Sequence, residues 1–176
     1  LTACGDDDDD GSETTGPPTQ PEPIDDAVFP QSLASGDPGP DSVILWTRAV
    51  PKAGGDGPVE VRFEIASDED LRDVVASGSV TATADYDHTV RVKPTGLSPY
   101  TTYYFRFSAE GGTTRVGRTK TAPRPDQDVP VRFAFASCQD RVGRYHHAYR
   151  ALMEHAGDVD FVVHLGDYVY ETNGNP

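Results

Sequence analysis

The 176-residue chain has only two cysteines, one methionine and one tryptophan. Two thiols exclude a disulfide-stapled scaffold. No run approaches the ~18 apolar residues of a membrane-spanning helix. Basic residues are scarce: 15 against 29 acidic ones, for a formal net charge of −14. That excludes nucleic acid held on a basic surface, because such affinity comes from Lys and Arg neutralising phosphates. What the chain has in quantity is turn formers, with 17 Gly and 15 Pro. They favour short strands over long helices.

The charge is uneven. Residues 1–26 hold nine acids (Asp6 to Asp10, Glu13, Glu22, Asp25, Asp26) and no Lys or Arg, leaving 20 of the 29 acids against all 15 bases in the remainder. This stretch has almost no large apolar side chain to bury, and its like charges repel. It is expected to be an extended, disordered tether. The start, Leu1-Thr2-Ala3-Cys4-Gly5, resembles the lipobox of bacterial lipoproteins. That resemblance implies a diacylglyceryl group on Cys4 and an exported lipoprotein, periplasmic or at the cell surface, with the tether holding a folded part away from the membrane. Such an anchor would show as detergent partitioning that depends on Cys4.

Residues 27–124 read as a β-sandwich module. Strands are expected at Phe29 to Leu33, Ser42 to Arg48, Val59 to Ala66, Asp73 to Thr83, His88 to Lys93, Thr101 to Glu110 and Thr114 to Thr121. Breakers separate them: Gly36 to Pro40, Gly54 to Pro58, Pro94 to Gly96, and Gly111-Gly112. Ser67 to Asp73 has room for one helical turn. About seven short strands in ~95 residues is the pattern of an immunoglobulin-like or fibronectin III-like sandwich. Trp46, Tyr103, Tyr104 and Phe105 are expected in its core. Leu97-Ser98-Pro99-Tyr100-Thr101-Thr102-Tyr103 resembles the Leu-x-Pro-x-Thr-x-Tyr segment of fibronectin type III domains. By that resemblance Tyr103 is a tyrosine corner, bonded to the chain a few residues upstream. His88 reads as a strand surface residue.

At about residue 125 the pattern changes. Val131 to Ser137 reads as a strand, Tyr145 to Ala156 as a helix and Phe161 to Leu165 as a strand buried on both faces. Strand, helix, strand is a βαβ unit, so the two strands should be parallel neighbours. Cys138 follows the first strand and Gly166-Asp167 the second. Ligands in open α/β sheets sit outside the carboxyl ends of the strands. Tyr170 follows Asp167 by three, so one turn could return its phenol to the same place. Thiol, carboxylate and phenol together suit a metal such as ferric iron, which would lower the pKa of both thiol and phenol. The alternatives stay open at this point: a lone Cys after a strand is commonly a small buried hydrophobe, and Gly-Asp is commonly a turn. His146, His147 and His155 read as helix surface, and His164 as a hydrogen-bonded neighbour of the site. Gln139, Asp140, Arg141 and Arg144 belong to the loop beside Cys138, and no role follows for Glu171.

The joint pattern is more specific. Phe135-Ala136-Ser137-Cys138-Gln139 with His164-Leu165-Gly166-Asp167-Tyr168-Val169-Tyr170-Glu171 closely resembles the PhoD-like alkaline phosphatases of the metallophosphoesterase superfamily. Gln31 to Pro38, Ser42 to Arg48 and Asp87-His88-Thr89-Val90 resemble the domain that precedes the catalytic domain there. The resemblance implies that residues 125–176 open an αββα catalytic domain, incomplete here. It implies hydrolysis of phosphate mono- or diesters with Fe3+ and Ca2+. Cys138 and Tyr170 would ligate iron, and Asp167 would bridge iron to calcium. Asn173-Gly174-Asn175-Pro176 is not the Gly-Asn-His segment of the superfamily, so further ligands are expected beyond Pro176 and the fragment alone is expected to be inactive. Two rival readings are a phospholipase D-type phosphodiesterase of the same family and a non-catalytic surface protein that binds through its sandwich.

Overall fold

The computed structural model describes residues 24–139, 147–155, 159–168 and 170. Cys4, Asp6 to Asp10, Asp140, Arg141, Arg144, His146 and Glu171 lie outside the described residues, as does the side chain of His155. Among the described residues the structure begins at Ile24, inside the stretch read as tether. Ile24 bridges Thr113, and Asp25 caps its own turn through the N–H groups of Ala27 and Val28 and pairs with Lys52 at 2.7 Å.

Eight strands form two antiparallel sheets. β1 (Leu33–Gly36), β2 (Ile44–Arg48) and β5 (Thr89–Val92) make a three-stranded sheet in the order β1-β2-β5. β4 (Val74–Ala82), β3 (Val59–Ala66) and β6 (Thr102–Ala109) make the other, in which the free edge of β6 pairs with both β7 (Gly112–Thr113) and β8 (Gly117–Lys120). Strict alternation builds the core. Tyr103, Phe105, Phe107 and Ala109 of β6 are buried, and they meet Leu45, Val90, Val61 and Ile65 between the sheets. Each such side chain contributes roughly 1.5–3 kcal/mol by leaving water. The sandwich expected from the sequence is therefore present. The Tyr103 hydroxyl accepts a hydrogen bond from the Ser98 N–H at 2.8 Å, as a tyrosine corner requires.

Five expectations need correction. The first strand is Leu33–Gly36, and Phe29 fills the core from the turn before it, where its N–H bonds the Asp25 carbonyl. Trp46 is only half-buried, because the inward phase of β2 is Leu45 and Thr47, and Tyr104 is likewise half-buried, because the inward phase of β6 is Tyr103 and Phe105. Thr47 is tolerated in β2 since its hydroxyl donates to the Ser32 carbonyl at 2.6 Å. His88 is buried, not a surface residue: it turns the chain with φ +54, and its backbone bonds Thr83 and Ala49. The strand expected over Thr114 to Thr121 is only Gly117–Lys120, and the short β7 before it begins at Gly112, expected as a breaker; between them Thr114 turns its hydroxyl to the Phe107 N–H.

Beyond the sandwich, β9 (Phe133–Ala136) and β10 (Phe161–His164) pair in parallel, with Phe133 opposite Phe161 and Ala136 opposite His164. Helix α1 (His147–His155) lies between them in sequence. The βαβ order holds, but burial of the second strand does not. Phe161, Val162 and Val163 are exposed, since nothing among the described residues packs over both faces of a two-stranded pair. Met153 of α1 is 81 % exposed for the same reason.

Candidate metal centre

The parallel pairing sets the site. Beyond the last paired residues the chains stay joined: the Leu165 N–H bonds the Ala136 carbonyl, Cys138 N–H the Gly166 carbonyl at 3.2 Å and Gln139 N–H the Asp167 carbonyl at 2.8 Å. Two short turns are thereby locked face to face at the carboxyl end of the pair. Cys138 and Asp167 both lie in the left-handed region, with φ of +59 and +51. Side chains other than Gly adopt it at some cost, and such residues cluster at functional sites. Gly166, at φ +126, takes a conformation open to glycine alone.

The three residues singled out from the sequence converge. Oδ2 of Asp167 accepts the Tyr170 hydroxyl at 2.8 Å and the Cys138 thiol at 3.4 Å. Among the described residues Cys138 is exposed. The hydrogen bonds to Asp167 and Cys138, and then desolvation, raise the Tyr170 phenol above its usual range. The neutral phenol donates a hydrogen bond to the Asp167 carboxylate, and a bond made by the neutral form opposes ionisation. A cation would reverse that balance and take sulfur, carboxylate and phenolate as donors. Two hard oxygen donors and one soft sulfur make a mixed anionic set that fits a highly charged transition-metal ion. Among the described residues no three His, Cys, Asp or Glu side chains form such a group, so the set depends on the phenol.

His164 stands beside this cluster and not in it. Its Nδ1 accepts the Gly166 N–H at 3.4 Å, its ring meets Tyr168 edge-on at 4.8 Å, and its Nε2 is buried without a partner among the described residues. A participant missed from the sequence is Tyr149, whose hydroxyl donates to Gln139 Oε1 at 2.8 Å and ties α1 to the residue after Cys138. Tyr149 falls within the segment read as a helix, and nothing in that reading marks its phenol. Gln139, Tyr149, Val162, His164 and Tyr168 line a recess of about 510 Å³.

Residues 15–123 match the PhoD-like phosphatase, N-terminal domain, and residues 133–176 match the PhoD-like phosphatase family. The chain belongs to the PhoD-like phosphatases. It is 43 % identical over 153 residues to alkaline phosphatase D of Bacillus subtilis (strain 168), across 84 % of this chain and 26 % of that protein. A solved structure of PhoD is 38 % identical with a TM-score of 0.74, across 88 % of this chain and 30 % of that one. The chain thus spans less than a third of the length of these PhoD relatives. Cys138, Asp167 and Tyr170 all fall inside the second PhoD match.

Proposed function

We propose that this chain is the N-terminal part of a metal-dependent phosphoric ester hydrolase, a PhoD-type alkaline phosphatase or phosphodiesterase. The observation that carries the reading is the meeting of the Cys138 thiol and the Tyr170 hydroxyl on one oxygen of Asp167. In this reading Cys138, Asp167 and Tyr170 would hold ferric iron, and Asp167 would also be a donor to calcium. When bound, the metals supply Lewis acidity toward a phosphoryl oxygen and orient the ester.

The chain's own residues do the rest of what is argued here. The locked turns bring three donors to one point before any ligand arrives, so ordering them costs little on binding. The thiol and phenol each give up a proton to become donors, which ties metal affinity to pH. Among the described residues, nothing lies within 4 Å of where a Cβ on Gly166 would sit. The exposed rim keeps Cys138 and Tyr170 within reach of an incoming ester. Further donors come, in this proposal, from the part of the PhoD length that these 176 residues do not span.

The test uses the full-length protein. Iron content, a visible phenolate-to-iron absorption band, and hydrolysis of p-nitrophenyl phosphate and bis-p-nitrophenyl phosphate are measured in Cys138→Ala and Tyr170→Phe. Loss of a direct donor should lower metal affinity and activity by about tenfold or more, since even outer partners of ligands have effects of that size. Wild-type iron, absorption and turnover in both variants would sink the assignment and favour a non-catalytic surface protein.

A further inference from the structure

Each end of the β9–β10 pair carries a built contact. Where the strands begin, Lys120, the last residue of β8, reaches Asp160, the residue before β10, with Nζ 2.6 Å from Oδ1. The same ammonium lies 3.6 Å from the centre of the Tyr100 ring. Where the strands end, the contact comes from α1. The Tyr149 hydroxyl donates to Gln139 Oε1 at 2.8 Å, and the Gln139 N–H donates to the Asp167 carbonyl at 2.8 Å. Gln139 thus has its side chain on the helix and its backbone on the residue whose Oδ2 receives both the Cys138 thiol and the Tyr170 hydroxyl.

Topology puts the phenol there. The helix of a βαβ unit runs back along the strands, so its first turn lies at their carboxyl ends. Tyr149 is the third residue of α1. Its bond closes on the Cys138 turn from ten residues away in the chain. The turns it closes on are costly ones. Cys138 and Asp167 hold φ of +59 and +51, and residues in that region persist only where their surroundings over-determine them. The Cys138 N–H bond to the Gly166 carbonyl is long, at 3.2 Å, and the Gln139 bond to Asp167 is the short one. Tyr149 fixes the residue that makes the short bond.

We infer that Tyr149 is a positioning residue for the proposed metal centre: its hydroxyl braces Gln139, and Gln139 holds the left-handed turns that present Cys138 and Asp167. The functional half of this rests on the proposed reading of those side chains as the centre. The brace itself is a directional bond between two named side chains, and it does not depend on how the faces of the strand pair are covered.

The test is amide hydrogen exchange of the metal-free full-length protein. It is read at Cys138 and Gln139, with Arg132 and Asp160 at the other end of the pair as the reference. Tyr149→Phe keeps the ring and removes the donor. It should speed exchange at Cys138 and Gln139 by about fivefold, the effect of one net hydrogen bond, and leave Arg132 and Asp160 unchanged. Gln139→Leu removes the acceptor of the same bond and should give the same increase at Cys138; it decides the matter alone if Tyr149→Phe fails to fold. The double variant should exchange no faster at Cys138 than either single one, since both changes break one interaction. In the iron-loaded protein Tyr149→Phe should alter the phenolate-to-iron band and lower kcat with KM unchanged, because the brace acts on the metal donors and not on the ester. Wild-type exchange in Tyr149→Phe, additive effects in the double variant, or equal loosening at Arg132 and Asp160 would overturn the inference. So would a raised KM with kcat retained, which would put the phenol on the ester. A wild-type protein that takes up no iron would instead overturn the reading of the centre, and the exchange data would still decide the brace.

Discussion

Tyr103 shows how far a single residue can be read. The spacing from Leu97 to Tyr103 singles it out, and the structure puts its hydroxyl on the Ser98 N–H. Tyr103→Phe keeps the packing and leaves that N–H without its acceptor. The expected loss is roughly 1–2 kcal/mol in urea unfolding; an unchanged midpoint would contradict it. Cys138, Asp167 and Tyr170 were legible for a related reason. A parallel pair brings the ends of its strands together, so sequence position after a strand predicts spatial position. Other residues were not legible. Alternation marks β2 but not which phase faces inward, so Trp46 was placed in the core where Leu45 and Thr47 stand. His88 looked like the start of a strand, yet its left-handed φ folds it under the sheet. Lys120 and Asp160 gave no signal at all, because their bond joins two units that local patterns describe separately.

At the scale of elements, the breakers decide most of the fold. Gly54 to Pro58, Gly96 and Gly111 fall between strands as their turn chemistry demands, and Gly54, Gly55, Gly96 and Gly111 take positive φ. β8 is different. A Cβ on Gly117 would lie 2.5 Å from Leu33 Cδ1 and 2.8 Å from Phe105 Cε1. The glycine lets β8 approach both the small sheet and the ring of β6. Gly117→Ala should therefore destabilise the sandwich by about 1–3 kcal/mol through overpacking. Gly57→Ala is the control, with nothing within 4 Å of its Cβ, and should stay within about 0.5 kcal/mol. Equal denaturation midpoints for the two variants would refute the packing argument. The first strand was misplaced because Phe29 has strand composition but is held by the Asp25 turn, a tertiary constraint that propensity does not report.

At the scale of the molecule, electrostatics set the acid limit. The Lys52 ammonium holds Asp25 below the usual carboxylate value of 3.8. The Asp73 and Arg72 N–H groups do the same for Asp68, and the Arg48 guanidinium for Asp87. Burial opposes ionisation of Asp160, but the Arg132 N–H and Lys120 outweigh it and the net shift is also downward. Depressed carboxyls stabilise the fold above their unfolded pKa and lose that contribution as pH falls through the folded one. Thermal melts should thus be flat from pH 7 to about 5 and drop once the pH passes below ~3.8, with a shallower drop in Asp25→Asn. A melting temperature independent of pH down to 3 would contradict the assignment. The chain is strongly acidic, yet these attractions are local pairs, which explains why net charge said what the protein avoids and little about how it is built.

Asp160 follows Lys120 by 40 residues, and loop-closure entropy rises only slowly with such separations. A polypeptide growing from its N-terminus finishes the sandwich first. The residues that open β9 and β10 then meet an ammonium and an aromatic ring already in place. The earlier-made sandwich thus offers the residues that follow it a ready dock at Lys120.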